Sequence, residues 1–361
     1  MTAAAVFAPL AAQPAPGEPV LSSSTPPRLL FDGVRTVDWA PRGDWIAFDR
    51  PNAKGFSQLH VARPDGSGER CLTCDVWDLR NRHSGSPTWH PSGRFVVFVV
   101  EKPVKSDGAP LPLLSVPGGN LGMDLWAISF DGKTAFNITN RAEQGGRVLA
   151  PRFSHEGDQL VWSERQASGG GAFGQWSVQV ARFLSSRGVP RLRGAKTYRP
   201  GTQQRFIETY GFTPDDRGVL FAANLDPGQP EGGLDLYVLR LESGEIQRLT
   251  ATRALDRFAR LTPDGRWLVW ASSLSQRDDE PVFERREKST DTALDLWLMD
   301  SGGRLARRLT RFNDATSSEY FGRVMTGTAA WSRDGRQLLV PLVSLGGDGG
   351  GLYLLEIAGG S

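Results

Sequence analysis

Hydrophobic positions in this chain fall into short runs, and one such run recurs six times behind the same kind of turn. The copies read Trp39-Ala-Pro-Arg-Gly-Asp-Trp-Ile-Ala-Phe48, Trp89-His-Pro-Ser-Gly-Arg-Phe-Val-Val-Phe98 and Phe153-Ser-His-Glu-Gly-Asp-Gln-Leu-Val-Trp162. They continue as Phe212-Thr-Pro-Asp-Asp-Arg-Gly-Val-Leu-Phe221, Leu261-Thr-Pro-Asp-Gly-Arg-Trp-Leu-Val-Trp270 and Trp331-Ser-Arg-Asp-Gly-Arg-Gln-Leu-Leu-Val340. Each copy sets an aromatic or apolar residue before a Pro-Asp-Gly-like turn and a short apolar strand after it. Counted from Pro41, Pro91, His155, Pro214, Pro263 and Arg333, the period is roughly 50–70 residues. Strand-and-turn repeats of about this length are the pattern of a β-propeller whose insertions fall in loops.

The second half of each repeat completes a four-stranded blade. An alternating run comes after a variable stretch: Gln58-Leu-His-Val61, Asp124-Leu-Trp-Ala-Ile128, Gln175-Trp-Ser-Val-Gln-Val180, Asp235-Leu-Tyr-Val-Leu239, Asp295-Leu-Trp-Leu-Met299 and Gly351-Leu-Tyr-Leu-Leu355. The alternation is imperfect, as it is for strands sandwiched between neighbouring sheets. After a turn such as Pro64-Asp-Gly66 comes a last strand ending in Leu-Thr or a relative, as in Cys71-Leu-Thr73 and Leu249-Thr250. Asp-Gly and Ser-Gly between such runs make hairpins, because Gly takes the positive φ that tight turns need.

Counting closes the ring. The sixth repeat ends with its third strand, and Pro27-Arg-Leu-Leu-Phe31, ahead of the first repeat, resembles the missing fourth. A strand supplied by the N-terminal segment removes the open edge at the seam. The expected fold is therefore all-β: a six-bladed β-propeller of four-stranded antiparallel blades over residues 27–361, its last blade closed by an N-terminal strand. Residues 1–26 stand outside the repeats. Their small apolar run and Pro/Ser-rich tail read either as a secretory leader lacking its basic start or as a disordered Ala/Pro leader.

Composition narrows the function classes. Gly 42, Pro 24 and Trp 11 suit many turns with aromatic blade packing. No apolar run reaches the roughly 18 residues of a membrane span. The net charge is +2, from 42 basic and 40 acidic side chains, so no basic face points to nucleic acid. Cys71 and Cys74 form Cys-Leu-Thr-Cys on an outer strand, without the helix that a thioredoxin-type redox pair opens and without a second pair for zinc. They read as a local disulfide or as two packed thiols. A disulfide suits a periplasmic or secreted protein, and without one a cytoplasmic location stays open.

The repeated Trp-x-Pro-x-Gly turn, the Asp-Leu-Trp strand and the Leu-Thr ending resemble the TolB-like propeller repeat family, over about residues 27–361. That repeat builds the propeller of the Tol system and the non-catalytic propeller of prolyl oligopeptidase-type enzymes. The resemblance implies the fold more strongly than a function, since the repeat hosts unrelated activities. The small α/β domain that precedes the propeller in the Tol protein has no counterpart here. Serine-peptidase chemistry requires a Gly-x-Ser-x-Gly elbow, and no such pentapeptide occurs. Some relatives carry histidines that converge on a metal near the channel. Here the matching positions are Tyr210 and either Phe258 or Arg260, and the only histidines are His60, His83, His90 and His155. No metal or other cofactor is expected.

A ligand site is expected at the channel mouth on the loop-rich face, where 101–123 and 272–294 form long second-to-third-strand loops. His83, Glu101, Arg147, Arg152, Glu164, Glu208, Tyr210, Arg257 and Arg260 are the candidates. Arginines there suit carboxylate or phosphate ligands. Arg152 is expected to be exposed, and the opposite, tight-turn face to serve folding alone. Two readings remain: a monomeric binding module for a protein, peptide or glycan, or an enzyme (lyase or hydrolase) using His83, Tyr210 and Glu208 with an arginine clamp.

Overall fold

The computed structural model describes residues 18–21, 25–102, 122–139, 147–166, 174–201, 206–226, 229, 233–252, 254–275, 292–346 and 349–358. Six antiparallel sheets stand in a ring, each with its innermost strand at the axis. Blade 1 runs outward as Val37–Trp39, Ile46–Pro51, Ser57–Ala62 and Arg70–Cys71. Blades 2 to 5 begin at the axis with Ser84–Trp89, Arg147–Phe153, Ile207–Phe212 and Asp256–Leu261. Blade 6 takes Val324–Thr326 and Ala330–Trp331 as a broken inner strand, followed by Gln337–Ser344 and Gly350–Ala358. The expected architecture is the observed one.

The fourth strand of blade 6 comes from the other end of the chain. Arg28–Asp32 pairs antiparallel with Gly350–Ala358, with Arg28 opposite Leu354 and Asp32 opposite Gly351. A Cβ on Gly351 would sit 2.5 Å from the Phe31 carbonyl oxygen, so the seam tolerates no side chain there. Phe31 stacks on Phe48 of blade 1 at 4.5 Å and joins a core of Val37, Trp39, Ile46, Leu352 and Leu354 that bridges the first and last blades. The clasp reaches further upstream than residue 27. Val20–Leu21 pairs with Ala358 and Ile357 along the same edge, and Glu18 meets Arg307 of blade 5.

Each repeated motif has a physical job. In the inner turns, a Ser or Thr hydroxyl bonds an Asp two residues on and accepts the backbone N–H that starts the next strand. Ser332 and Asp334 are 2.7 Å apart, and Gln337 N–H reaches Ser332 Oγ at 2.9 Å. Thr213 does the same with Asp215 and with Gly218 N–H. The turn glycine has a second duty, since it lies against the proline of the preceding blade. A Cβ on Gly265, at φ +69°, would come within 2.5 Å of Pro214 Cγ, and one on Gly157 within 2.8 Å of Pro91. The alternating Pro and Gly of the repeat are thus the two halves of one blade-to-blade contact.

The Asp-Leu-Trp and Leu-Thr motifs pin the outer hairpin. Thr310 Oγ1 accepts Leu296 N–H at 2.9 Å and donates to Asp295 at 3.2 Å. Thr250 with Asp235 and Thr139 with Asp124 repeat the arrangement. In blade 1, Gln58 takes the place of the aspartate and accepts from Thr73 at 2.9 Å. Asp295 also holds Arg308 at 2.8 Å, and Asp235 holds Arg248 at 2.6 Å. These polar pins are buried, so each must be satisfied within the blade.

Removing residues 1–32 should unfold or oligomerise the protein, because the outer edge of Gly350–Ala358 loses its partner strand. Removing residues 1–24 forfeits the short Val20–Leu21 pairing and should cost far less. Urea melts and size-exclusion profiles check this, and equal behaviour of the two truncations would refute the clasp. A second expectation concerns Asp235, whose burial outweighs Arg248 and raises its carboxyl to about 6. The folded state then holds this proton at higher pH than the unfolded chain. Its contribution to stability is full below about pH 4 and lost as pH rises through about 6. Asp235→Asn should gain on wild type by roughly 2 kcal/mol between pH 4.5 and 7.5. Paired denaturant melts across that range would show it.

Candidate functional site

The inner strands set the channel wall through a shared irregularity. Register shifts fall between Gly85 and Thr88, Leu149 and Arg152, Thr209 and Gly211, and Arg257 and Arg260. Ser86, Ala150 and Phe258 take positive φ of 49°, 49° and 56° within them. Such bulges bend a strand and re-aim the side chains next in line. One position per blade, just before the first aromatic or apolar residue of the repeat, faces the channel: Thr88, Arg152, Gly211 and Arg260 after these bulges, Asp38 from the regular inner strand of blade 1 and Ala330 from the broken one of blade 6. All six line one cavity of about 500 Å³.

This cavity opens among the Pro-Asp-Gly turns. Its walls include Trp39, Trp89 and Trp331 with Pro41, Pro91, Pro214 and Pro263, the opening residues of the repeat itself. On the face expected to serve folding alone, six copies of a folding motif meeting around an axis leave a funnel between them. Of the long loops 101–123 and 272–294 expected to build the mouth, residues 103–121 and 276–291 lie outside the described residues.

The charged wall residues are mostly matched in pairs. Glu208, 1% exposed, receives Arg257 through Nη2 at 2.7 Å and Nε at 3.1 Å, and the Tyr210 hydroxyl donates to it at 2.8 Å. Burial, with the Glu208 charge beside it, holds the Tyr210 phenol well above its ordinary range. Glu208 keeps Arg257 above the usual guanidinium range although burial opposes it. Arg260 reaches past small Ala330 of blade 6 to pair with Asp38 of blade 1, whose other oxygen accepts Trp89 N–H at 2.8 Å.

Arg152 is different. It is 6% exposed, against the expectation of an exposed side chain, because the six inner strands converge around it. Its Nη1 donates to the carbonyl oxygens of Pro87 and Pro151, both at 3.0 Å, tying blade 3 to blade 2. Burial, then the neighbouring Arg260, lowers its guanidinium to about 9, with Asp38 and Glu208 opposing. It also lines a small void of about 20 Å³ toward the loop face, so it marks the waist of the channel.

The other candidates make contacts of their own. His83 Nδ1 accepts Ser57 N–H at 3.2 Å, and the His83 backbone N–H reaches Glu101 at 3.3 Å. Burial lowers the His83 imidazole and raises the Glu101 carboxyl. Glu164 accepts Trp162 Nε1 at 3.0 Å. Arg147, opposite Arg165 in the ladder, is lowered to about 10 by burial and then by Arg165, with Glu208 opposing. As for metals, His60, Cys71 and Cys74 place ligand atoms within 4.8 Å of one another, but a disulfide joins the two sulfurs.

Fold and channel together define a six-bladed propeller with a charged waist beneath an aromatic and proline funnel. No family model matches the chain. A stretch of 71 residues, 20% of this chain, is 41% identical to the Tol-Pal system protein TolB of Gluconobacter oxydans (strain 621H) and spans 14% of that protein's length. The crystal structure of TolB from Acinetobacter baumannii is similar with a TM-score of 0.51 at 17% identity, over 90% of this chain and 65% of that one. Oligogalacturonate lyase in complex with manganese gives a TM-score of 0.53 at 12% identity, over 91% and 78%. TolB and related six-bladed propellers are thus the structural neighbours, a likeness of fold.

Glu208→Ala should destabilise the protein by about 3–5 kcal/mol, because it strands Arg257 as a buried charge. Glu208→Ala combined with Arg257→Leu should recover part of that loss. Denaturant melts of both variants check the pair, and a loss under about 1 kcal/mol for the single variant would show the pair to be solvated.

Proposed function

We propose that this propeller is an exported, non-catalytic binding module that receives a protein, peptide or glycan partner at its channel. The observation that carries the reading is how the acid–base groups of the channel are used. Tyr210, its phenol held well above its ordinary range, gives its proton to a hydrogen bond with Glu208, and Glu208 is taken up by Arg257, so these groups are engaged with one another rather than presented to a substrate. What faces the funnel instead is recognition chemistry: indole, proline and guanidinium surfaces. The local match to a TolB sequence supports a binding role, and the Cys71–Cys74 disulfide supports the periplasm or another oxidising compartment.

The alternative is a lyase or hydrolase at the same place. It has one observation in its favour, the carboxylate, phenol and guanidinium within hydrogen-bond reach of one another. Complete burial and mutual saturation of the three count against it.

Photo-crosslinking residues at exposed His155 and Arg333, on the funnel rim, test the reading in cells that produce the full chain. A partner captured from the rim, identified, purified and shown to rebind wild type is the expected outcome. Capture solely from a probe at Lys54, in a loop of the opposite face, would put the surface elsewhere. Turnover of an oligosaccharide or peptide by the purified protein, lost in Glu208→Gln, would replace the reading with an enzyme.

A further inference from the structure

Of Arg152, Arg257 and Arg260 at the waist, Arg152 has the guanidinium whose bonding, among the described residues, is incomplete in a directional way. Its Nη1 is spent on the two proline carbonyl oxygens. Its Nε is buried without an acceptor, and among the described residues Nη2 has no hydrogen bond and no carboxylate pairs with the group. Nε and Nη2 form one edge of the guanidinium plane, the edge that takes both oxygens of a carboxylate side-on. An unsatisfied buried charge of this kind costs stability, so its retention at the floor of an open cavity calls for an occupant.

The surroundings specify that occupant further. At the level of Arg152 the ring carries two arginines and one aspartate, and Asp38 is taken by Arg260. One positive charge remains over. Glu208, the nearest other carboxylate along the channel, is occupied by Arg257 and Tyr210. Beside Arg152 the ring positions are small, Thr88 on one side and Gly211 on the other, and a Cβ on Gly211 would lie 4.0 Å from the Arg152 stem. The opening to solvent is the funnel of about 500 Å³, walled by Trp39, Trp89, Trp331 and four prolines together with Ser154, His155, Asp264 and Arg333. Room and one excess charge lie on the side where Nη2 has no partner, with the unpaired Nε buried next to it.

We infer that Arg152 is the anchor of a carboxylate subsite at the floor of the turn-face funnel, filled by a ligand that enters carboxylate first with its apolar part against the tryptophan and proline walls. The inference rests on the binding-module reading and names its ligand class: a free chain-terminal carboxylate of a peptide, or a small monocarboxylic acid. A single carboxylate neutralises the excess charge, and a dianion such as phosphate overshoots it.

The test uses the full-length protein, calorimetry and tryptophan emission, with acetyl-trialanine, its C-terminal amide and propionate as probes. The acid peptide should bind about tenfold or more tightly than the amide, the worth of a charge-assisted pair. Arg152→Met should abolish that preference. Because Arg152→Met also cuts the tie to Pro87 and can unfold the chain, Thr88→Asp supplies a second arm. It places a carboxylate beside the fork from the adjoining blade, and should abolish acid-peptide binding while holding or raising the melting temperature. Tight peptide with weak propionate identifies a chain terminus as the source, equal affinities per carboxylate identify a small acid, and both outcomes uphold the subsite. Equal binding of acid and amide, no saturable binding at millimolar concentrations, or unchanged affinity in folded Thr88→Asp would overturn it. Such a failure with rim crosslinking intact leaves the binding-module reading standing. Carboxylate binding without any rim partner does the reverse.

Discussion

Closure of the ring is the constraint on which everything else in this protein depends. Six sheets share one axis only if the sixth meets the first, and that meeting is the pairing of Arg28–Asp32 with Gly350–Ala358. The strand satisfies backbone groups that an open blade would present to solvent, and Phe31 carries apolar surface across to Phe48 in blade 1. With the seam closed, the inner strands are held at fixed distances from one another. The bonds from Arg260 to Asp38 and from Trp89 N–H to Asp38 then join blades 5, 1 and 2 across the channel.

Crowding at the axis explains the character of the wall. Each inner strand sends one side chain per level into a space shared six ways, so large residues are accommodated only where neighbours are small or of opposite charge. Ala330 and Gly211 give way, Arg260 fills the gap toward Asp38, and Arg257 is matched by Glu208. Buried pairs of this sort contribute little net stability but strongly penalise the loss of one partner. They fix the relative placement of blades more than they strengthen the fold. The same scaffold hosts a Tol-Pal protein and a manganese-bound lyase among its structural relatives.

Much of the fold was legible in the sequence, because its signals are local. Pro91 and Gly157, Pro214 and Gly265, or Thr250 and Asp235 belong to short recurring motifs, and a turn or a hairpin pin needs few residues to be recognised. Even the clasp was visible, since Arg28-Leu-Leu-Phe31 has the pattern of the strand that the last repeat lacks. The register shifts were not. A bulge at Ala150 or Phe258 leaves no compositional mark, yet it decides whether Arg152 and Arg260 face the axis or the neighbouring blade.

The sequence by itself determined the blade count, the strand order and the chemistry available near the axis, because periodic hydrophobicity and turn residues act over a few positions. The tertiary structure alone decided which of those groups meet. Asp38 and Arg260 are 222 residues apart, and Glu208 and Arg257 are 49 apart, and nothing in either local context specifies the partner. Arg152 read as an exposed arginine because exposure was inferred from a strand's end, whereas burial is set by five other blades closing around it. The funnel belongs wholly to the assembled ring, a space that no single repeat contains and that six copies of one motif enclose.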